Sequence, residues 1–112
     1  MKYGPEEGGK LLNMGTQQFT ITQDANGTFF LKGELTLLDL EYFQEFLDGT
    51  RARVKRFSLD MSGVAYADTA SLQLLIAFKK NAKPEHECRI VAMSPELDQI
   101  VKICGLKPLL ID

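Results

Sequence analysis

Tryptophan is absent from this chain, histidine occurs once and cysteine twice. The lone histidine, His86, stands in the polar stretch Lys83-Pro84-Glu85-His86-Glu87, which reads as a surface loop and supports no histidine-based catalysis. Cys88 and Cys104 form no Cys-x-x-Cys pair and each sits in an apolar pattern, so both read as reduced structural residues. A structural zinc needs about four ligands at closer spacing, and none is expected. No apolar run approaches the roughly 18 residues of a membrane span, and the first residues lack the basic-then-apolar order of a signal peptide. The expectation is a cytoplasmic protein that is not embedded in a membrane. Positive charge is not in excess either: 13 Lys and Arg face 15 Asp and Glu, for a net charge of -2. A nucleic-acid binder needs a basic face to neutralise phosphates, and none stands out here.

What is present matches an ordinary globular domain. The 112 residues are 45% hydrophobic and 25% charged, enough for one domain with a single core. Residues 1–15 contain Gly4-Pro5-Glu6-Glu7-Gly8-Gly9 without a clear period and read as a flexible extension before a domain spanning 16–112. Phe19 and Ile21, then Phe29, Phe30 and Leu31, flank Asp24-Ala25-Asn26-Gly27, where Asn26-Gly27 signals a tight hairpin turn. Gly33-Glu34-Leu35-Thr36 closes the second strand. Thr36 is the candidate N-cap of the first helix, with Asp39 at the capping-box position. Leu40, Phe43, Phe46 and Leu47 make its apolar stripe, and Asp39 falls off that stripe. Gly49 is expected to end this helix, and Arg51, Arg53, Lys55 and Arg56 to form a solvated basic connector.

The segment from Phe57 to Leu72 organises the rest. Phe57, Leu59 and Met61 alternate with polar residues as a strand, Ser62-Gly63 is expected to break it, and Asp68 precedes a helical run beginning at Thr69. Asp68 is thus the candidate N-cap, its carboxylate accepting from free backbone amides at the positive end of the helix. Thr69 and Ser71 place two hydroxyls in the first turn. Leu72, Leu75, Ile76 and Phe78 give this helix a broad buried face, while Lys79, Lys80 and Lys83 suit its C-terminal end. Cys88, Ile90 and Val91 form a short strand. Ser94-Pro95-Glu96 then starts a helix whose face carries Leu97, Ile100, Val101 and Cys104, with Gly105 at its end. Leu109, Leu110 and Ile111 are read as a last edge strand or a core cover.

The order strand, strand, helix, strand, helix, strand, helix implies an α/β fold with a mixed four- to five-stranded sheet, about three to four helices, and right-handed parallel crossovers. Functional groups in such sheets gather at the carboxyl ends of the strands, which brings Thr36, Asp68 to Ser71, and Ser94 to one end.

Asp60-Met61-Ser62-Gly63-Val64, Asp68-Thr69-Ala70-Ser71-Leu72-Gln73-Leu74-Leu75, Ser94-Pro95-Glu96-Leu97 and Cys104-Gly105-Leu106, in this order and spacing, resemble a STAS domain, the fold of bacterial anti-sigma factor antagonists. The resemblance runs from about Phe19 to Leu110. It implies a phosphoprotein switch without catalytic residues or cofactor, acting in transcription regulation. A partner serine kinase with ATP phosphorylates a hydroxyl at the start of the second helix, and the phosphate changes which partner binds. The family pattern is Asp-Ser-Ser/Thr-Gly, with the phosphoacceptor two residues after Asp. Ala70 occupies that place here, Thr69 keeps a hydroxyl one residue earlier, Ser71 replaces the glycine, and Thr36 stands where many antagonists have Asp.

The Asp-Thr-Ala wording is more similar to STAS proteins encoded with chemotaxis systems, or to the small cytoplasmic STAS subunit of phospholipid-transport ABC systems. Candidate phosphorylation sites are Thr69 and Ser71, and candidate partner-binding residues are Thr36, Asp68, Thr69, Ala70, Ser71 and Gln73. The implied partner is an anti-sigma factor or serine kinase, or a transporter ATPase, with a weak homodimer left open. A receiver-like domain using Asp60 as phosphoacceptor is the rival reading. It needs further acids to hold magnesium, and Asp24 falls only in a turn.

Overall fold

The computed structural model describes residues 18–83 and 85–111. The extension of residues 1–15 lies outside them. Within them are strands β1 (Phe19–Gln23), β2 (Thr28–Leu35), β3 (Arg56–Ala67) and β4 (Glu87–Met93). Helices α1 (Leu40–Arg53), α2 (Thr69–Lys80), α3 (Pro95–Ile103) and the short α4 (Lys107–Leu110) complete the mixed α/β fold. The strands lie in spatial order β1-β2-β3-β4. β1 and β2 are antiparallel, whereas β2 with β3 and β3 with β4 are parallel. Parallel neighbours need a crossover, and α1 and α2 supply it.

The hairpin forms where the turn residues predict, with a different internal geometry. The Gly27 N–H donates to the Asp24 carbonyl, so Ala25 and Asn26 occupy the central positions. Gly27 follows at φ 87°, the left-handed region that glycine reaches without penalty. The Asp24 carboxylate accepts from the amides of Asn26 and Thr28, both at 2.9 Å. The loop is therefore one residue longer than a two-residue Asn-Gly turn.

Two expected chain breaks are absent. α1 passes through Gly49 and ends only at Arg53. Glycine inside a helix costs about 1 kcal/mol, which tertiary contacts readily exceed. Those contacts are visible: the Arg51 guanidinium lies 4.0 Å from the centre of the Phe78 ring. Arg51 also donates to the Phe78 carbonyl at 3.1 Å, so it ties α1 to α2 rather than joining a solvated connector. β3 likewise continues through Ser62-Gly63 to Ala67. Its buried residues are Phe57, Leu59 and Met61, then Val64 and Ala67, so the spacing widens from two to three. The pairing explains this: Phe30 faces Asp60 but Lys32 faces Gly63, and Gly33 faces Val64 but Glu34 faces Tyr66. Each step places one extra residue on β3, a bulge that resets which side faces the core.

One contiguous core results. The inner face of the sheet presents Phe19, Phe29, Leu31, Phe57 and Leu59, all buried. α1 covers β1 and β2 through edge-to-face pairs of Phe19 with Phe43 and Phe29 with Phe46. α2 covers β3, with Phe57 and Phe78 at 6.1 Å between ring centres. α3 buries Leu97 and Val101, and α4 buries Leu110 in place of a last edge strand. Cys104 falls outside this core: it caps α3 and is exposed. Asp39, expected on the solvent side, is buried instead, and its carboxylate accepts from the Gln18 amide at 2.7 Å. It closes no capping box with Thr36; it fastens the chain leading into β1.

Candidate functional site at the start of the second helix

The carboxyl ends of β2 and β3 lie side by side, because Leu35 pairs with Ala67. Each strand then turns into a helical segment. After β2, Thr36 caps a single 3-10 turn, Leu37–Asp39, its hydroxyl accepting from the Leu38 amide at 3.3 Å. After β3, Asp68 caps α2, its backbone extended at φ -86° and ψ 172°. The two oxygens of the Asp68 carboxylate take different partners. One accepts from the Ser71 amide at 2.9 Å, satisfying a free donor of α2. The other accepts from the Leu37 amide at 2.7 Å, in the neighbouring segment. The Asp68 N–H donates to the Leu35 carbonyl at 3.0 Å, so the junction is fastened from both sides. Partial burial pushes the Asp68 carboxyl up, but the Ser71 and Leu37 amides prevail and hold it below its ordinary value.

Around this carboxylate the site residues diverge in accessibility. Thr69 and Gln73 are exposed, Thr36 and Ala70 are half-buried, and Ser71 is buried at 2% exposure. Thr69 is therefore the accessible hydroxyl of the first turn, and Ser71 packs inward. Ser94 does not join them as expected: β4 stops beside Met61 while β3 runs on to Ala67, so Ser94 falls short of the end where Asp68 lies, and it is buried too. Its hydroxyl donates to the Val64 carbonyl and accepts from the Leu97 amide, so it clamps α3 to β3 and stays apart from Asp68. Asp60 is likewise occupied locally, its carboxylate accepting from the amide and hydroxyl of Ser62 at 2.9 and 2.6 Å. Among the described residues, no group of His, Cys, Asp and Glu is placed to hold a metal ion.

Three residues at this end escape a reading by motif. Leu37 and Leu38 are 65% and 78% exposed, and Tyr66 is 45% exposed beside Glu34 on the adjacent strand. For Leu37 a signal exists in the sequence. Leu37 lies three residues before Leu40 and would share its stripe in a continuous helix, but the 3-10 turn interrupts the period.

A mixed α/β domain with parallel crossovers and a capped helix at the carboxyl end of its central strand is the architecture of a STAS domain. The chain belongs to the family described as "Mlab, STAS domain", whose model matches residues 20–111. Among solved structures it is similar to an anti-sigma factor antagonist from Mycobacterium paratuberculosis. That pair has 16% identity and a TM-score of 0.66, covering 88% of this chain and 87% of the other. It is also similar to the anti-sigma factor antagonist SpoIIAA in its unphosphorylated form, at 15% identity and a TM-score of 0.62, covering 84% and 86%. The phosphorylated form of the Bacillus cell fate determinant SpoIIAA aligns with a TM-score of 0.57 at 15% identity, covering 84% and 89%. At these identities the likeness is one of fold. No curated protein matches the chain. Among the described residues no helix is long and apolar enough to cross a membrane.

Proposed function

We propose that this STAS domain is a non-catalytic, cytoplasmic protein-interaction module that docks through the start of α2, with Thr69 as the position where a phosphate changes partner choice. The observation that carries the reading is the division of hydroxyls in the first turn. Thr69 is exposed beside Asp68, Ser71 is buried, and Ala70 has none. A phosphate on Thr69 adds nearly two negative charges beside a carboxylate already committed to the Ser71 and Leu37 amides. The helix N-terminus tolerates that charge, whereas the apolar part of a partner surface, which would have to desolvate it, does not. The partner in this reading is an anti-sigma factor or serine kinase, as the fold likeness to anti-sigma factor antagonists supports.

A second reading rests on Ala70, which leaves the usual phosphoacceptor position without a hydroxyl. It makes the domain a fixed adaptor on a transporter ATPase or a chemotaxis complex, with the same surface and no switch. Affinity capture from the native cell with the wild type and Thr69→Glu separates the two, when mass spectrometry reads both partners and phosphorylation. A kinase-like partner that is lost with Thr69→Glu, together with phosphate on Thr69, supports the switch. Identical partners for both proteins and no phosphate at Thr69 support the fixed adaptor and refute the switch.

A further inference from the structure

We propose that Leu37 and Leu38, on the turn that Asp68 fastens, dock a partner protein through an apolar hollow rimmed by Lys or Arg. The inference rests on the reading of the α2 start as a binding surface and names the chemistry of what binds there.

Charge is the first support. Residues 33–50 carry Glu34, Asp39, Glu41, Glu45 and Asp48 without one Lys, Arg or His, and residues 57–78 carry Asp60 and Asp68, again without one. The stretches that meet at Leu37 and Asp68 lie within these two segments, whereas Glu45 and Asp48 fall further along α1 and Asp60 in the first half of β3. Of their acids, Glu34 and Glu41 are exposed close to the 3-10 turn. The bases fall at the other ends of the same elements: Arg51 and Arg53 close α1, Arg56 opens β3, and Lys79 and Lys80 close α2. Lys32, on β2, is turned over Gly63, two residues further from the turn than Glu34. Among the described residues the end around the 3-10 turn is thus acidic, and a complementary partner is basic at its rim.

Presentation is the second support. Isolated exposed leucines are common, but these two adjoin on one turn and are fixed by two hydrogen bonds, Leu37 N–H to the Asp68 carboxylate and Leu38 N–H to the Thr36 hydroxyl. A preset backbone lowers the ordering cost of association, and central apolar anchors ringed by polar groups carry most of the energy at protein interfaces. Ile103 is equally exposed, at 75%, but it lies on α3 beside Lys102. It serves as the control.

The test places a photo-crosslinking amino acid at position 38 or 103 of the full chain in the native cell and maps the crosslinked peptides by mass spectrometry. Position 38 should crosslink to one protein, at a surface where Lys or Arg flanks apolar residues. Leu38→Lys should lower capture of that protein roughly tenfold or more. Ile103→Lys should leave it unchanged, and rising salt should weaken it. Both positions are solvent-facing, so the variants should fold as the wild type does, which a thermal melt checks. Crosslinks to an acidic surface, to the basic end of a second copy of this chain, or from position 103 alone overturn the proposal. If Leu38→Lys captures the partner normally while Thr69→Glu does not, the α2 site stands and the leucine anchor falls.

Discussion

Asp68 does two jobs with one carboxylate, and the chemistry of its neutral isostere separates them. Asparagine is as good an N-cap as aspartate, so Asp68→Asn keeps an acceptor for the Ser71 amide. Its second terminal atom becomes an NH2 donor facing the Leu37 N–H, and that bond is lost. Because the folded-state pKa of Asp68 is depressed, the stability it contributes is present above the unfolded value, about 4. It is lost as pH falls below that through the lower folded value. The wild type should therefore be more stable than Asp68→Asn at pH 7, and the gap should close as pH drops from about 4 downward. Other carboxylates titrate in both proteins, so the difference between paired urea denaturations isolates Asp68. A gap that is constant with pH would show that the carboxylate charge plays no part. The cap itself was legible in the sequence, as an acid before a helical run; the bond to Leu37 was not. It depends on a segment 31 positions away that only the parallel pairing of β2 and β3 brings near.

At the scale of elements, what reads well from sequence is a local period with local punctuation. α2, with its buried Leu72, Leu75, Ile76 and Phe78, and α3, with its Ser94 cap, form where their patterns place them. β3 defeats the same reasoning, since its two bulges change the burial period midway and turn Ser62-Gly63 from an expected break into strand. α1 defeats it at Gly49, where the contacts of Arg51 with Phe78 outweigh a local preference. Gly33 shows how an element can depend on one position. It sits in β2 at φ 116°, and a Cβ there would lie 2.3 Å from the Gln18 carbonyl oxygen and 2.9 Å from the Phe19 Cα. Both neighbours are backbone of the chain entering β1, so nothing flexible can move aside. Gly33→Ala should cost roughly 2–4 kcal/mol, from positive-φ strain plus the clash. Thermal melts would register this as a clear fall in Tm. Hydrogen exchange should speed first at the β1 amides, and a Tm within a degree or so of wild type would refute the account.

For the whole molecule, the decisive property is that a single buried cluster runs from Phe19 and Phe29 through Phe43 and Phe46 to Phe57, Phe78, Leu97 and Leu110. It draws on every strand and helix named above, and its aromatic contacts link β1 to α1, α1 to β2, β2 to β3 and β3 to α2 in sequence. No element can leave without opening that cluster, so unfolding should be all-or-none. Phe46 is the most informative probe. It is fully buried and edge-on to Phe29 at 5.1 Å, midway along the aromatic chain. Phe46→Ala should cost about 3–5 kcal/mol, a large share of the stability typical of a domain this size. The loss should appear as one shifted transition rather than as a new intermediate. With no tryptophan in the chain, tertiary structure is best followed by the tyrosines, of which Tyr42 packs against Phe19. Near-ultraviolet tyrosine signal and far-ultraviolet helix signal should share one urea midpoint in wild type and in Phe46→Ala, with the same slope. Separate midpoints in either protein would mean that the sheet and the α1–α2 layer are distinct cooperative units. The start of α2 could then loosen on its own, and the fixed presentation of Leu37 and Leu38 on which docking depends would be lost.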